Sequence, residues 1–308
     1  MAARLRRCGR LAYDTGMPKS SFAAFLTTCL AAALLLPASP AHGQGGAGGQ
    51  PSPMRQAQQL DTDGKHAEAK VLFQRLIDEA TDPAAQAAAQ RRMAISWAFE
   101  GNCAKAIEYE EKVIAYWVTR EAAEPQNAWY QQGEMANEAA RVCVDAGYLD
   151  LAEQGYRRGR ELGLREPVPN THPKSLWDFR LAHALARIAA QRGNKEEAAR
   201  QVAVAKRVLD SDSTMAVQQG RFYPYLTGYV ALFTGDLTTA ETELARALAM
   251  PGNQNDPFIH ALLGMTHEKM GHTEPARALY QRAFDLATGH NPPAAFTRPF
   301  TRKKLGVP

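Results

Sequence analysis

Histidine is the residue type in this chain whose spacing comes nearest to a catalytic or metal-binding pattern. His267 and Glu268 begin like the His-Glu-x-x-His motif of zinc proteases, but the next histidine is His272, five residues on instead of four. His260 and His267 share a helix face but stand two turns, about 10 Å, apart, which is too far for one metal ion. We therefore predict no metal site.

Other sequence patterns that carry chemistry are also missing. There is no Gly-x-Ser-x-Gly motif for a nucleophile, no phosphate-binding loop and no dinucleotide fingerprint. Paired carboxylates such as Glu110 and Glu111 stand in charged runs typical of solvated helix surface. The sequence thus predicts a protein that is not an enzyme and uses no cofactor.

The net charge of +4 over 308 residues is concentrated at the N-terminus. Residues 1–43 hold five of the 36 basic residues and one of the 32 acidic residues, so 31 of each remain in the rest of the chain. That remainder is neutral overall and lacks the excess of basic groups by which proteins bind nucleic acid. We expect no nucleic-acid partner.

Residues 1–43 have the three-part pattern of a secretory signal peptide. Basic residues precede an uncharged run from Phe22 to Leu36, and small residues follow at alternate positions; Met17 offers an alternative start. The run is short for a membrane helix, which needs about 20 apolar residues. We expect cleavage, a periplasmic or secreted protein without stable membrane insertion, and a flexible glycine-rich linker over 44–53. An uncleaved anchor in the inner membrane is the alternative.

The rest of the chain repeats a pattern in which small residues stand at fixed distances from a glycine. Six segments align without gaps on that glycine, with an alanine five residues after it and a small residue seven before it. The glycines are Gly64, Gly101, Gly147, Gly193, Gly235 and Gly271. The alanines are Ala69, Ala106, Ala152, Ala198, Ala240 and Ala276, and the preceding small residues are Ala57, Ala94, Ala140, Ala186, Gly228 and Gly264.

Each segment predicts two antiparallel helices joined at the glycine. The glycine accepts the left-handed backbone that ends the first helix, and Asn102, Asn194 or Asp236 directly after it can cap the second. The small residues mark where the helices cross closely, because larger side chains would push the axes apart. Nine residues after the glycine, a larger apolar residue continues the buried stripe, except that the second unit has Glu110.

This pattern resembles the tetratricopeptide repeat (TPR) over about residues 54–288. The resemblance implies an all-α fold, a right-handed α-solenoid of about six stacked antiparallel helix hairpins. Successive glycines are 36 to 46 residues apart, whereas the family repeat has about 34, so we expect lengthened middle units. Pro125, Pro167, Pro169 and Pro173 mark helix starts or connections in those units. A related helical repeat with longer units is the alternative.

The resemblance also implies a concave face, lined by the first helix of each pair, that binds a partner. In this register the facing positions lie about 13, 10 and 6 residues before each glycine. They give a polar and cationic stretch that runs into an aromatic one: Glu134, Asn137, Arg141, Arg180, His183, Arg187, Phe222, Tyr225 and Tyr229. Such a face suits an extended peptide, because guanidinium groups bind carboxylates and tyrosine rings offer rigid apolar contact. The alternative is ordinary solvated helix faces, with Phe222 and Tyr225 packed into the lengthened unit.

Cys103 and Cys143 are the cysteines that remain after cleavage, in a compartment that permits disulfides. Cys103 lies at the start of a second helix and Cys143 near the end of the following first helix, at the same edge of the predicted stack. A disulfide between them is geometrically possible, and two buried free thiols are the alternative.

The last residues, 289–308, form a basic segment that contains prolines. Pro292, Pro293 and Pro299 argue against continued helix. We expect this segment to fold back as a cap over the end of the solenoid. A docking tail for an anionic partner is the alternative.

Together these observations favour a non-enzymatic protein-protein interaction module or scaffold in the bacterial cell envelope. Its partner would be an extended peptide or a protein bound on the concave face. A periplasmic binding protein for a small molecule or a cell-wall peptide is the alternative.

Overall fold

The computed structural model describes residues 51–307, so the predicted signal peptide and most of the predicted linker lie outside the described residues. Within that range the chain is helical and contains no β-strand. None of its helices is long and apolar enough to cross a membrane. The helices are α1 Pro53–Thr62, α2 His66–Asp78, α3 Pro83–Phe99, α4 Cys103–Val118, α5 Pro125–Asp145, α6 Leu149–Gly163, α7 Lys174–Gln191, α8 Lys195–Ser211, α9 Ser213–Gln219, α10 Tyr223–Thr234, α11 Leu237–Ala249, α12 Pro257–Lys269, α13 Thr273–Leu286 and α14 Pro292–Leu305, with a 3-10 turn at Gly220–Phe222 between α9 and α10.

The repeat glycines join consecutive helices into hairpins. All six have a positive φ, between 67° and 90°, which is the left-handed region that glycine adopts without strain. The hairpins are α1 with α2, α3 with α4, α5 with α6, α7 with α8, α10 with α11, and α12 with α13. The second helix of each hairpin also packs against the first helix of the next. The all-α prediction is confirmed, as a series of hairpins in contact with their neighbours.

The local interactions predicted at the hairpins are present. The side chains of Asn102, Asn194 and Asp236 each accept a hydrogen bond from the backbone N–H three residues on, at 3.0–3.1 Å. All six repeat alanines are buried, with at most 3% of their surface exposed. At Gly264 a Cβ atom would lie 2.7 Å from the ring of Tyr280. The helices of that hairpin therefore cross too closely for a larger residue.

The middle units are lengthened in two different ways. α5 has 21 residues and starts at Pro125, and α7 has 18 residues and follows Pro173. Pro167 and Pro169 lie in the connection before α7. In the fifth unit the extra residues instead form α9 and the 3-10 turn ahead of α10. Two units thus extend their first helix, and one inserts a separate short helix.

Glu110 is the exception among the larger apolar residues that stand nine positions after the repeat glycines. The sequence interpretation of Glu110 as solvated surface is wrong, because only 1% of this residue is exposed. Burial raises its pKa well above the ordinary glutamate value, and the nearby carboxylate of Glu138 raises it further. Burial therefore disfavours the charged form of the Glu110 carboxyl within the buried stripe of α4.

The segment at the end of the chain is a helix, α14, contrary to the expectation that its prolines prevent one. Asn291 caps it by accepting a hydrogen bond from the Ala294 N–H at 3.1 Å. Pro292 and Pro293 occupy the first turn, where a missing N–H costs nothing. Pro299 lies inside the helix and removes one backbone hydrogen bond. Packing of α14 against α3, α5, α12 and α13 offsets that loss.

α14 also joins the first hairpin to the last. Arg298 donates from Nε to the Thr62 carbonyl at 2.7 Å and from a terminal nitrogen to the Phe284 carbonyl at 3.0 Å. Arg302 donates to the same Thr62 carbonyl at 3.1 Å. These carbonyls lie in the last turns of α1 and α13, where a helix has no backbone donors of its own. The segment therefore bridges the two outermost hairpins of the described chain.

Candidate ligand-binding site

A cavity of about 300 Å³, called the central cavity here, lies between α5, α7, the 3-10 turn, α10, α12 and the start of α14. It brings together eight of the nine residues predicted for the concave face. These eight are Glu134, Asn137, Arg141, Arg180, His183, Arg187, Phe222 and Tyr225. The ninth, Tyr229, lines a neighbouring cavity.

Helical spacing explains why these side chains converge. Asn137 and Arg141 stand four residues apart on α5, and Arg180, His183 and Arg187 stand three and four apart on α7, so each set occupies one face of its helix. Phe222 ends the 3-10 turn, and Tyr225 lies in the first turn of α10. Two long helices and one irregular connection thus supply most of the lining.

The other walls were not part of the sequence prediction. Phe258 and Ile259 of α12, with Pro292 and Pro293 of α14, close the cavity. The repeat register could have found Phe258, because this residue stands 13 positions before Gly271. No local pattern indicates that Pro292 and Pro293 reach α5 and α7. With these walls, the predicted face is a partly open cavity bounded on several sides.

Arg187 is the most deeply buried charge at the cavity, with 4% of its surface exposed. Its terminal nitrogens donate to the hydroxyls of Tyr225 at 3.2 Å and Tyr156 at 3.0 Å. Its Nε has no hydrogen-bond partner among the described residues. Burial alone would lower the pKa of Arg187, but the surrounding tyrosines and Asp145 outweigh it and raise the pKa. The guanidinium stays charged and keeps one N–H free.

Arg141 is the second cation with unused donors. In the described part of the chain its Nε is buried without a hydrogen bond. The carboxylate of Asp145 lies 3.8 Å from that nitrogen, beyond hydrogen-bond distance. The guanidinium carbon lies 5.0 Å from the centre of the Phe258 ring, in a cation-π contact. Burial raises the pKa of Asp145 to about 6, although the positive charge of Arg141 works to lower it.

His183 adds a neutral polar group. Its ring lies between those of Phe179 and Tyr225, with centroids 5.8 and 5.1 Å away. Burial lowers its pKa well below the ordinary histidine value, and the charges of Arg187 and Arg141 lower it further. Nothing in residues 51–307 forms a hydrogen bond with its Nε2 atom. This nitrogen can therefore exchange one hydrogen bond with a ligand.

The acidic groups of the cavity, by contrast, already have partners. Glu138 accepts a hydrogen bond from Arg91 at 2.6 Å, and Glu134 is paired with Arg180. Asp256 accepts from two backbone N–H groups at the start of α12, at 2.9 and 3.2 Å. The buried side-chain atoms of the lining that have no hydrogen-bond partner within residues 51–307 are therefore Nε of Arg141 and Arg187, Nε2 of His183 and Oδ1 of Asn137.

A disulfide between Cys103 and Cys143 holds one side of the site. It joins the start of α4 to α5, with the two Cα atoms 4.9 Å apart, and both cysteines are buried. Cys143 precedes Asp145 by two residues on α5. The covalent link thus tethers the end of α5 that carries Arg141 and Asp145.

No family model matches the chain, and no curated protein is significantly similar to it. The function is therefore argued from the geometry of the site.

Proposed function

We propose that this chain is a non-enzymatic binding module of the bacterial cell envelope and that the central cavity is its ligand-binding site. The charge and apolar pattern of residues 1–43 supports export through a signal peptide. The six left-handed glycines and the packing of each hairpin on the next support a right-handed solenoid of TPR-like units. In this proposal the ligand presents a carboxylate to Arg141 and Arg187.

The unpaired guanidinium nitrogens carry this proposal. Buried polar groups nearly always have hydrogen-bond partners, and one without a partner costs about 1–3 kcal/mol. Arg141 and Arg187 each leave Nε unpaired at the same cavity. A carboxylate accepts hydrogen bonds from guanidinium groups better than any neutral group does, and it would offset their charge. In this proposal a carboxylate in the central cavity offsets the charge of both guanidinium groups.

The aromatic lining supports an organic ligand and not a simple anion. Phe179, Phe222, Tyr225 and Phe258 all line the cavity beside the arginines. Small-molecule sites typically combine such apolar walls with a few convergent polar groups. The carboxylate would then orient the ligand, while the rings bury its carbon skeleton.

The volume limits what can enter. About 300 Å³ is at the lower end of the range of ligand pockets. It accommodates a small molecule or the terminal residue of a peptide, whereas an extended peptide segment would meet the walls formed by α12, Pro292 and Pro293. A free small carboxylate and the C-terminus of a partner protein share this chemistry, so an experiment must separate the two sources.

The test measures binding of defined carboxylates by isothermal titration calorimetry. The probes are phenylacetate and the tetrapeptide Gly-Gly-Gly-Phe with a free or an amidated C-terminus. We expect Arg141→Ala to weaken binding roughly 10- to 100-fold, because a hydrogen bond to a charged group contributes about 1.5–3 kcal/mol. Arg207→Ala is the matched control, since Arg207 is exposed and lies outside the cavity.

Each outcome has a distinct meaning. Tighter binding of the free than of the amidated peptide, lost in Arg141→Ala, supports a partner protein as the source. Binding of phenylacetate alone supports a small molecule. If no probe binds, or if Arg141→Ala binds as well as the wild type, the carboxylate site is wrong.

A further inference from the structure

Two more cavities lie beside the central cavity, against the inner side of α14. Their volumes are about 330 and 260 Å³. Both are lined by Asp145, Ala146, Phe296 and Phe300, so they meet along one edge of α14. Both are partly open pockets and not sealed internal voids.

The larger of the two, called the apolar cavity here, has mainly apolar walls. They include Phe233, Leu262, Met265, Phe296 and Phe300. The polar lining is Asp145, Gln191 and the Tyr229 hydroxyl, and Gln191 already donates to that hydroxyl. The apolar cavity therefore suits a hydrocarbon group.

Phe258 connects the apolar cavity to the central cavity, because its ring lines both. The guanidinium of Arg141 lies over the same ring, at 5.0 Å from its centre. A cation with an unused Nε donor and a mainly apolar cavity thus both adjoin the side chain of Phe258.

We infer that the ligand is an amphiphilic carboxylate with an unbranched apolar tail. Its carboxylate binds Arg141 in the central cavity, and its tail passes the edge of the Phe258 ring into the apolar cavity. This inference rests on the proposed function and adds the chemical class of the ligand. The charge of Arg141 and the apolar walls beside it are the complementary features that select this class.

The test is a chain-length series measured by calorimetry on the full chain, with butyrate, hexanoate and octanoate as probes. Each methylene that enters the apolar cavity should tighten binding about fourfold, so octanoate, with its four extra methylenes, should bind roughly 250-fold tighter than butyrate. Octan-1-ol has the same tail without the charge, and we expect it to bind at least tenfold more weakly than octanoate.

A cavity-filling variant locates the tail. Met265→Trp puts a larger ring at the apolar cavity, and we expect octanoate to fall to the affinity of butyrate while butyrate itself is unaffected. Met270→Trp is the matched control, because Met270 follows α12 directly and lies outside all three cavities. Equal loss of octanoate binding in both variants would mean that the tail is not in the apolar cavity.

The outcomes separate this inference from the function on which it rests. If phenylacetate and all alkanoates bind with similar affinity and depend on Arg141, the carboxylate site stands and the amphiphile is wrong. If octan-1-ol binds as tightly as octanoate, and Arg141→Ala changes neither, an apolar site without carboxylate recognition remains. If none of these probes binds, the proposed function itself fails.

Discussion

Asp61 and Asp145 are both aspartates withdrawn from solvent, with side chains that are 0% and 7% exposed. Asp61, at the end of α1, is fully paired. Its carboxylate is hydrogen-bonded to Ser96 and His66 at 3.0 Å and to His290 at 2.8 Å. The Oδ2 atom of Asp145 accepts no hydrogen bond from the described residues.

The pKa values of the two residues move in opposite directions. Burial works to raise the pKa of both carboxyls. At Asp61 the hydrogen bonds from His290, His66 and Ser96 outweigh burial and bring the pKa below the ordinary value. At Asp145 burial dominates, and the pKa rises to about 6. The difference lies in the number of donors and not in the depth of burial.

Buried polar groups have two different roles in this protein. A carboxylate whose oxygens are all hydrogen-bonded stabilises the fold, and Asp61 does so by linking α1 to His290, 229 residues away in sequence, although Nδ1 of His290 has no partner among the described residues. A cluster with unused donors and acceptors is incomplete on its own, as at Arg141, Asp145 and Arg187. We therefore assign the first a structural role and the second a ligand.

Deletion of residues 291–308 should have the largest effect, because it disturbs both clusters. It removes the hydrogen bonds of Arg298 and Arg302 to Thr62 beside Asp61, and it also removes the wall that α14 gives to each cavity. We expect the melting temperature, measured by circular dichroism, to fall by roughly 10 °C or more, at about 2–4 °C per kcal/mol. An unchanged melting temperature would mean that α14 is a docking tail and not a bridge.

Asp61→Ala should have the next largest effect. We expect it to lower the free energy of unfolding by about 3–5 kcal/mol, because it leaves buried donors without their acceptor. Urea denaturation measures this loss. Asp63→Ala is the control, since Asp63 is exposed two residues away. Binding of phenylacetate should remain in the folded variant. Loss of binding together with wild-type stability would reverse the roles given to the two clusters.

Reduction of the disulfide should cost about 2–4 kcal/mol, through loss of the constraint across a separation of 40 residues. Because the bond tethers α5 close to Asp145, we also expect weaker ligand binding in reductant. A melting curve shows this as a smaller rise in melting temperature when ligand is added. Thiol titration checks the bond directly. Two titratable thiols in the denatured, unreduced protein without residues 1–43 would contradict the disulfide.

Asp145→Asn should have the smallest effect and the opposite sign, a gain of about 1–2 kcal/mol at pH 7. Because the folded pKa is raised to about 6, the folded protein holds a proton that the unfolded chain releases near pH 4. Wild-type stability therefore falls as the pH rises from about 4 to about 6, and the asparagine variant avoids that loss.

Urea denaturation at pH 4 and pH 7 tests this sign. The gain from Asp145→Asn should be present at pH 7 and absent at pH 4. The contribution of Asp61 has the opposite dependence, since its pKa is lowered: it is present at neutral pH and lost as the pH falls below the ordinary aspartate value. Equal stabilisation by Asp145→Asn at both pH values would mean that folding does not raise the pKa of Asp145.

The register of the repeat anticipated much of the site. Counting back from the glycines selected eight residues of the central cavity, because helix periodicity decides which side chains share a face. The same count at Gly271 reaches Phe258. The repeat register could not show that Arg187 is buried among tyrosines or that Nε of Arg141 lacks a hydrogen bond, because those facts depend on neighbouring helices.

The sequence by itself determined the helices, the left-handed turns at Gly64 and the five other repeat glycines, and the caps at Asn102 and its equivalents. Each of these results from interactions among residues a few positions apart, and such interactions leave a regular pattern in the chain. Only the tertiary structure decided that Glu110 is buried, that α14 is a helix, and that His290 is hydrogen-bonded to Asp61. These depend on contacts between residues far apart in sequence, and no local periodicity records which distant surfaces will pack together.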